Sequence, residues 1–204
     1  MEQKIQTLKA IPTSRQLGFN RYAPVLSTRD QSKEGQDLDD SQNTTYTAYD
    51  ADSSNFLFDI AYKGFDFSSL PENFEINSIT VYFNEASSPN YCMLNRKLAV
   101  YSGNTRLYEF SLHNINNSGE PPVREVFTLS NFQSEWLTDF KLVYEWERKQ
   151  GYGVRCYVYG MDVIVNYIPS KIQNMVITEA PIQTANVGNQ EVQAVFFGDI
   201  KIYG

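Results

Sequence analysis

The sequence predicts an all-β fold, an antiparallel β-sandwich of jelly-roll-like type, on three observations. Apolar side chains alternate at period two over most of residues 56–168, Gly, Asn and Pro turns punctuate the short runs, and no long amphipathic helix separates them. Parallel α/β folds need such helices as crossovers and are disfavoured. A closed β-barrel would show the same periodicity and is the architectural rival. With 42% hydrophobic and 14% aromatic residues among 204, the chain has the material for a large core.

The elements follow in order. Residues 1–29 show no sustained period, and from Asp30 to Asp59 the acidic residues are balanced by Lys33 alone. At least over Gln31–Asn43, such a stretch buries too little apolar area to offset its ordering entropy. Residues 1–45 are therefore expected to form an extended N-terminal arm, ordered by a partner or flexible, ahead of a sandwich domain at 46–168. From Phe56 the period-two signal begins. Ile79, Val81 and Phe83 share one face, while Phe74 and Ile76 lie in the opposite phase, so a β-bulge is expected at Asn77-Ser78.

Leu98 and Val100 make a strand ended by the turn signal Ser102-Gly103-Asn104, and Tyr108, Phe110 and Leu112 alternate after it. A weaker strand is expected at Val123–Leu129. Ser130–Asp139 is the one helical candidate, with Ser130 and Gln133 at capping-box spacing and Phe132, Trp136 or Leu137 available to pack it. Phe140, Leu142, Tyr144 and Trp146 form the cleanest apolar stripe. Val154, Cys156 and Val158 make one run, and Met161, Val163, Val165 and Tyr167 make another after Gly160. Residues 169–204 hold one to three further strands that either complete the sandwich or form a separate C-terminal β-extension.

A net charge of −7 argues against nucleic acid, whose binders need surplus Lys and Arg to displace counterions. No apolar run approaches the ~20 residues of a spanning helix, so membrane insertion is not expected. The first residues lack the apolar core of a secretory signal, which points to a reducing cytosol and free thiols at Cys92 and Cys156. Cys156 reads as a small buried hydrophobe between Val154 and Val158.

Candidate chemistry is sparse. Asp37, Asp39 and Ser41 open like a calcium loop, but Gln42 stands where a glycine is needed and Ala48 where a bidentate carboxylate is needed. Glu145 and Glu147 flank Trp146 at i and i+2, so both approach a substrate from one side of a strand, which suits an outward polar face balanced by Arg148 and Lys149 better than glycosidase work. His113 has no nucleophile elbow with it. No catalytic, cofactor-binding or metal-binding residue is assigned, and no cofactor is expected. Tyr82, Tyr157 and Tyr159 lie opposite the apolar faces of their strands, where flat rings serve as an interface or as glycan-stacking platforms.

The run Gly64-Phe65-Asp66-Phe67-Ser68-Ser69-Leu70-Pro71-Glu72-Asn73-Phe74-Glu75-Ile76-Asn77-Ser78-Ile79-Thr80-Val81 resembles an opening found in bacteriophage tail and virion-surface β-sandwich proteins. Tyr152-Gly153-Val154-Arg155 and Met161-Asp162-Val163-Ile164-Val165-Asn166-Tyr167 look like the closing strands of that pattern. The resemblance covers roughly Asn55–Ile168 and implies a non-enzymatic virion component of the tail, baseplate or a surface fibre, assembled in a host cytoplasm. Its expected partners are other virion proteins and further copies of itself as a homo-oligomer. The alternative on the same scaffold is a host-adhesion module that binds cell-wall carbohydrate. A hydrolase is disfavoured by the missing constellation.

Overall fold

The computed structural model describes residues 4–27, 35–42, 45–51, 57–87, 93–112, 123–148, 154–170, 183–187, 190–197 and 200–203. Strands β1 (Gln6–Ala10), β2 (Ser14–Leu17), β3 (Val25–Leu26) and β4 (Thr47–Ala51) precede β5 (Leu57–Lys63), β6 (Phe74–Ser87) and β7 (Met93–Ser102). They are followed by β8 (Thr105–Ser111), β9 (Val123–Leu129), β10 (Phe140–Arg148) and β11 (Val154–Pro169). Sheet I runs β3-β4-β11-β6-β9, with β1 also paired to β11, and sheet II runs β2-β5-β10-β7-β8. All of these strand pairs are antiparallel. Four strands of each sheet, β4-β11-β6-β9 and β5-β10-β7-β8, have the interleaved order of a jelly roll. The expected fold class is therefore the one observed.

The alternating stripes build the core. Phe140, Leu142, Tyr144 and Trp146 of β10 point between the sheets with Phe58, Ile60 and Tyr62 of β5, facing Ile79, Val81 and Phe83 of β6 and Met161, Val163 and Val165 of β11. Stacked rings fill the centre: Trp146 lies 5.0 Å from Tyr144 and 5.7 Å from Phe58. Phe65 and Phe67, from the run that carries the virion-protein resemblance, both meet Phe140 edge-on. Packing alone accounts for that pair.

The bulge expected at Asn77-Ser78 is present. Asn166 pairs with Ser78 and Tyr167 with Ile76, so Asn77 is the extra residue and Ile76 keeps its inward place. At the β7–β8 hairpin Gly103 takes φ 58°, the positive φ that the first position of a type II′ turn requires.

Several expectations are corrected. Residues 4–27 and 35–42 are no detached arm: β1 pairs with β11, β2 with β5 and β3 with β4, within a compact unit spanning Met1–Pro169. These strands are too short for a period to show, and their partners lie far along the chain. The acidic stretch is anchored through Asp37, whose buried carboxylate takes hydrogen bonds from Arg15 (2.9 Å), Thr47 (2.8 Å) and Tyr49. Ser130–Asp139 forms only a 3₁₀ turn at Ser134–Leu137, because Asn131 sits at φ 61° and Gln133 is extended without a side-chain cap. Phe132 and Leu137 are buried all the same. The two runs on either side of Gly160 are one strand, β11, with a bulge at Tyr159 that carries the inward phase from Val158 to Met161.

Residues Ser170–Gly204 form a second unit. It holds a three-stranded antiparallel sheet of β12 (Gln183–Val187), β13 (Gln190–Phe197) and β14 (Ile200–Tyr203). Of the two outcomes expected for residues 169–204, a sheet of their own is the one observed.

Candidate functional site

The outer face of sheet I gathers the candidate tyrosines. Cys156 and Val158 point inward, so Arg155 and Tyr157 point outward, and the bulge adds Tyr159 beside them. On the neighbouring strand Ala48 lies opposite Tyr157 and Asp50 opposite Arg155. Ala48 is small, and Tyr46, two residues earlier on the same face, fills the space above it. The Tyr46 ring meets Tyr157 at 4.9 Å and Tyr159 at 5.3 Å, both edge-to-face. At the border of this cluster Arg155 grips Asp50 with two parallel bonds of 2.6 and 3.0 Å. The hydrogen bond to Asp50 holds the guanidinium pKa above its already high ordinary value.

Tyr82 is set apart from this cluster. The Arg124 guanidinium stands 4.2 Å above its ring and donates to the Ser41 hydroxyl at 2.8 and 3.1 Å. Residues 39–42 lie across the sheet here. The Met161 amide donates to the Asp39 carbonyl at 2.9 Å, the Ser41 amide to Asp162 at 2.8 Å, and Lys9 reaches Asp40 at 2.7 Å. Gly160, at φ 151°, makes room for this segment, since any Cβ there would collide with the carbonyl oxygens of Asp39 and Asp40. Of the three tyrosines singled out from sequence, Tyr157 and Tyr159 come together and Tyr82 does not. Tyr46 was missed, although the alternation Tyr46-Ala48-Asp50 against Thr47-Tyr49-Ala51 is visible in the sequence.

The outer face of sheet II carries the carboxylate expected to be exposed, and here the expectation is corrected. Glu145 is fully buried, paired with Arg21 (2.8 Å) and Arg106 in place of Arg148 and Lys149. The cause is the segment Gly18–Tyr22, which crosses this face as a strap. The Gly18 amide donates to the Asp59 carbonyl at 3.0 Å, and those of Phe19 and Asn20 donate to its carboxylate at 2.6 and 2.8 Å. Phe19 packs edge-on to Tyr101 and under the ammonium groups of Lys63 and Lys141. Burial pushes the carboxyl pKa values of Asp59 and Glu145 up; Arg21 opposes this at both, and Arg106 also at Glu145. Glu147 accepts from Asn95 at 2.7 Å, so the two glutamates are held by different partners and neither is left free to act as a paired carboxylate.

Between the sheets Glu85 is fully buried and engaged by Arg96 and by the Tyr144 hydroxyl at 2.5 Å. Burial also pushes up the Cys156 thiol, a free buried cysteine. Cys92 and His113 lie outside the described residues. Among the described residues no three His, Cys, Asp or Glu side chains stand close enough to hold a metal ion. No helix among them is long and apolar enough to cross a membrane.

No known protein family matches the sequence, and no curated protein sequence matches it. Ten solved chains match by structure. One of them, described as "CBM4 structure and function", is similar over 80% of this chain and 92% of its own, at 6% identity and a TM-score of 0.30.

Proposed function

We propose that this protein is a non-catalytic carbohydrate-binding module that stacks a saccharide on the Tyr157–Tyr159 surface. The observation that carries this reading is the continuous cluster of Tyr46, Tyr157 and Tyr159 beside the bidentate Arg155–Asp50 pair on a half-exposed sheet face. A pyranose ring offers an apolar C–H face and a rim of hydroxyls. Tyrosine rings cover the first at little entropic cost, and a guanidinium–carboxylate pair supplies donors and acceptors for the second. Single sites of this kind are weak, and many copies on one surface raise avidity by ~10²–10⁴. Such a module suits host adhesion on cell-wall glycan.

The test is co-sedimentation of the protein with insoluble cell-wall polysaccharide. Replacing Tyr157 and Tyr159 with Ala is expected to weaken retention about tenfold, at ~0.5–1.5 kcal/mol per ring contact, while Tyr→Phe retains most of it. Retention unchanged by the alanine pair, in a protein that still melts cooperatively, would overturn the reading.

A second reading, a structural virion component, is favoured by the C-terminal unit Ser170–Gly204. It is a three-stranded sheet of its own, and units shorter than ~40 residues seldom hold together without a staple or an oligomeric partner. In this reading the sheet orders against other virion proteins or further copies of the chain. Sedimentation of the full chain with assembled particles through a salt wash is expected. Particles that form normally without residues 170–204 would count against it.

A further inference from the structure

At the end of the sandwich marked by the Asn77 bulge, a cleft of about 510 Å³ opens between the start of β6 and the residues that follow β9. That volume falls within the ~300–1,000 Å³ of small-ligand sites. Two backbone irregularities shape it: the bulge that sets Asn77 out of register, and the left-handed turn at Asn131, φ 61°. Phe74, packed edge-on against Tyr167 at 6.0 Å, supplies apolar wall. The rest of the lining is dominated by Glu75, Asn77, Asn131, Gln133 and Glu135.

The polar groups of this cleft are uncommitted. Among the described residues these five side chains make no hydrogen bond or ion pair. Some surface groups are tied to one another, as Lys9 is to Asp40 and Arg155 to Asp50, and those lining the cleft are not. Three amides each present a donor and an acceptor from one group, and two carboxylates add strong acceptors for O–H donors. No Lys, Arg or His lines the cleft. An anion would meet like charge there, and an apolar ligand would leave the amides unpaired.

We infer that this cleft is a second saccharide site, separate from the tyrosine surface, that takes an uncharged sugar unit through its hydroxyls. Amide and carboxylate oxygens accept from the hydroxyls, amide N–H groups donate to them, and Phe74 lies against the C–H face. Along β6, Asn77 and the residue opposite Tyr157, Ala86, are about 30 Å apart at ~3.3 Å per residue. One sugar ring cannot occupy both sites. The inference rests on the cleft's own lining and stands whether or not the tyrosines bind glycan.

The experiment follows the side-chain amide resonances of Asn77, Asn131 and Gln133 in the full chain by ¹H–¹⁵N NMR. Cellohexaose, maltohexaose, xylohexaose and chitohexaose are titrated separately to millimolar concentration. At least one is expected to move these signals saturably. The double variant Asn77→Ala/Gln133→Ala, with its backbone spectrum otherwise retained, is expected to weaken that probe about tenfold. The Tyr157→Ala/Tyr159→Ala protein is expected to show the same shifts at the cleft as the parent. No movement with any of the four sugars would overturn the inference, as would equal movement with calcium chloride or inorganic phosphate alone. Loss of the cleft shifts in the tyrosine variant would overturn the separateness of the site.

Discussion

The two outer faces of the sandwich handle polar side chains in opposite ways. On sheet II the strap Gly18–Tyr22 closes over the strands, and Asp59 and Glu145 lose all solvent exposure. There the cations and carboxylates form a chain, Arg21 to Glu145 to Arg106 to Glu109 to Lys97, in which every member has a partner from the same molecule. On sheet I the segment 39–42 covers only the region near Tyr82 and Asp162, and the tyrosine cluster stays half-exposed. A dense display of charge is thus no sign of a binding face when the protein's own backbone has already claimed it. Uncommitted groups and accessible rings are better guides to where a ligand can add something.

The largest expected effect tests whether the strap and edge strands belong to the fold. Deleting residues 1–27 removes β1, β2, β3 and the strap, and exposes β11, β5 and the buried carboxylates together. Loss of cooperative thermal unfolding is expected by circular dichroism. A truncated chain that melts as sharply as the parent would show the covering segment to be dispensable.

A smaller contrast separates the two faces by their ion pairs. Replacing Arg21 and Arg106 with Leu strands the buried Glu145 carboxylate, and a cost of about 3–5 kcal/mol is expected from urea titration at neutral pH. The partly exposed pair on sheet I is worth less, so Arg155→Leu is expected to cost at most about 1 kcal/mol. Similar losses from both variants would erase the distinction between sealed and open faces.

The smallest effect is one of slope against pH. Burial raises the Glu145 pKa, so the folded protein holds that proton more tightly than the unfolded chain does. Its contribution is therefore favourable below the ordinary glutamate value and declines as pH rises through the raised one. Asp40 is the reverse case: hydrogen bonds from Lys9 and the Gln42 amide lower its pKa, and the stability it adds disappears as pH falls through the lowered value. Urea midpoints across the acidic range should therefore respond with opposite sign to Glu145→Gln and Asp40→Asn. The same sign from both would mean that burial does not govern Glu145.

Much of the sandwich was legible because its central strands are long. β6 and β10 repeat their alternation often enough to fix face and phase, and the slip between Ile76 and Ile79 even located a bulge. The edge strands were not legible, since β1, β2 and β3 span only two to five residues each and depend on remote partners. Asp37 looked solvated for the same reason. Its partners Arg15 and Tyr49 are brought to it by pairing that local sequence does not record. At the site, Tyr157 and Tyr159 followed from strand alternation alone, whereas the separation of Tyr82 depended on Arg124 and the 39–42 crossing. The cleft left no motif, being assembled from a bulge and a turn that meet only in three dimensions.

The position of β11 has a consequence for the protein's synthesis. It bonds β6 along one side and both β4 and β1 along the other, yet it is the last strand of the sandwich to emerge from a ribosome. At ~5–20 residues per second, nascent β1 waits on the order of ten seconds before its hydrogen-bonding neighbour exists. During that interval the growing polypeptide carries open strand edges that invite mispairing with other nascent chains. Productive folding of this architecture thus waits for β11, and its yield is set by how well the early strands are shielded until that strand arrives.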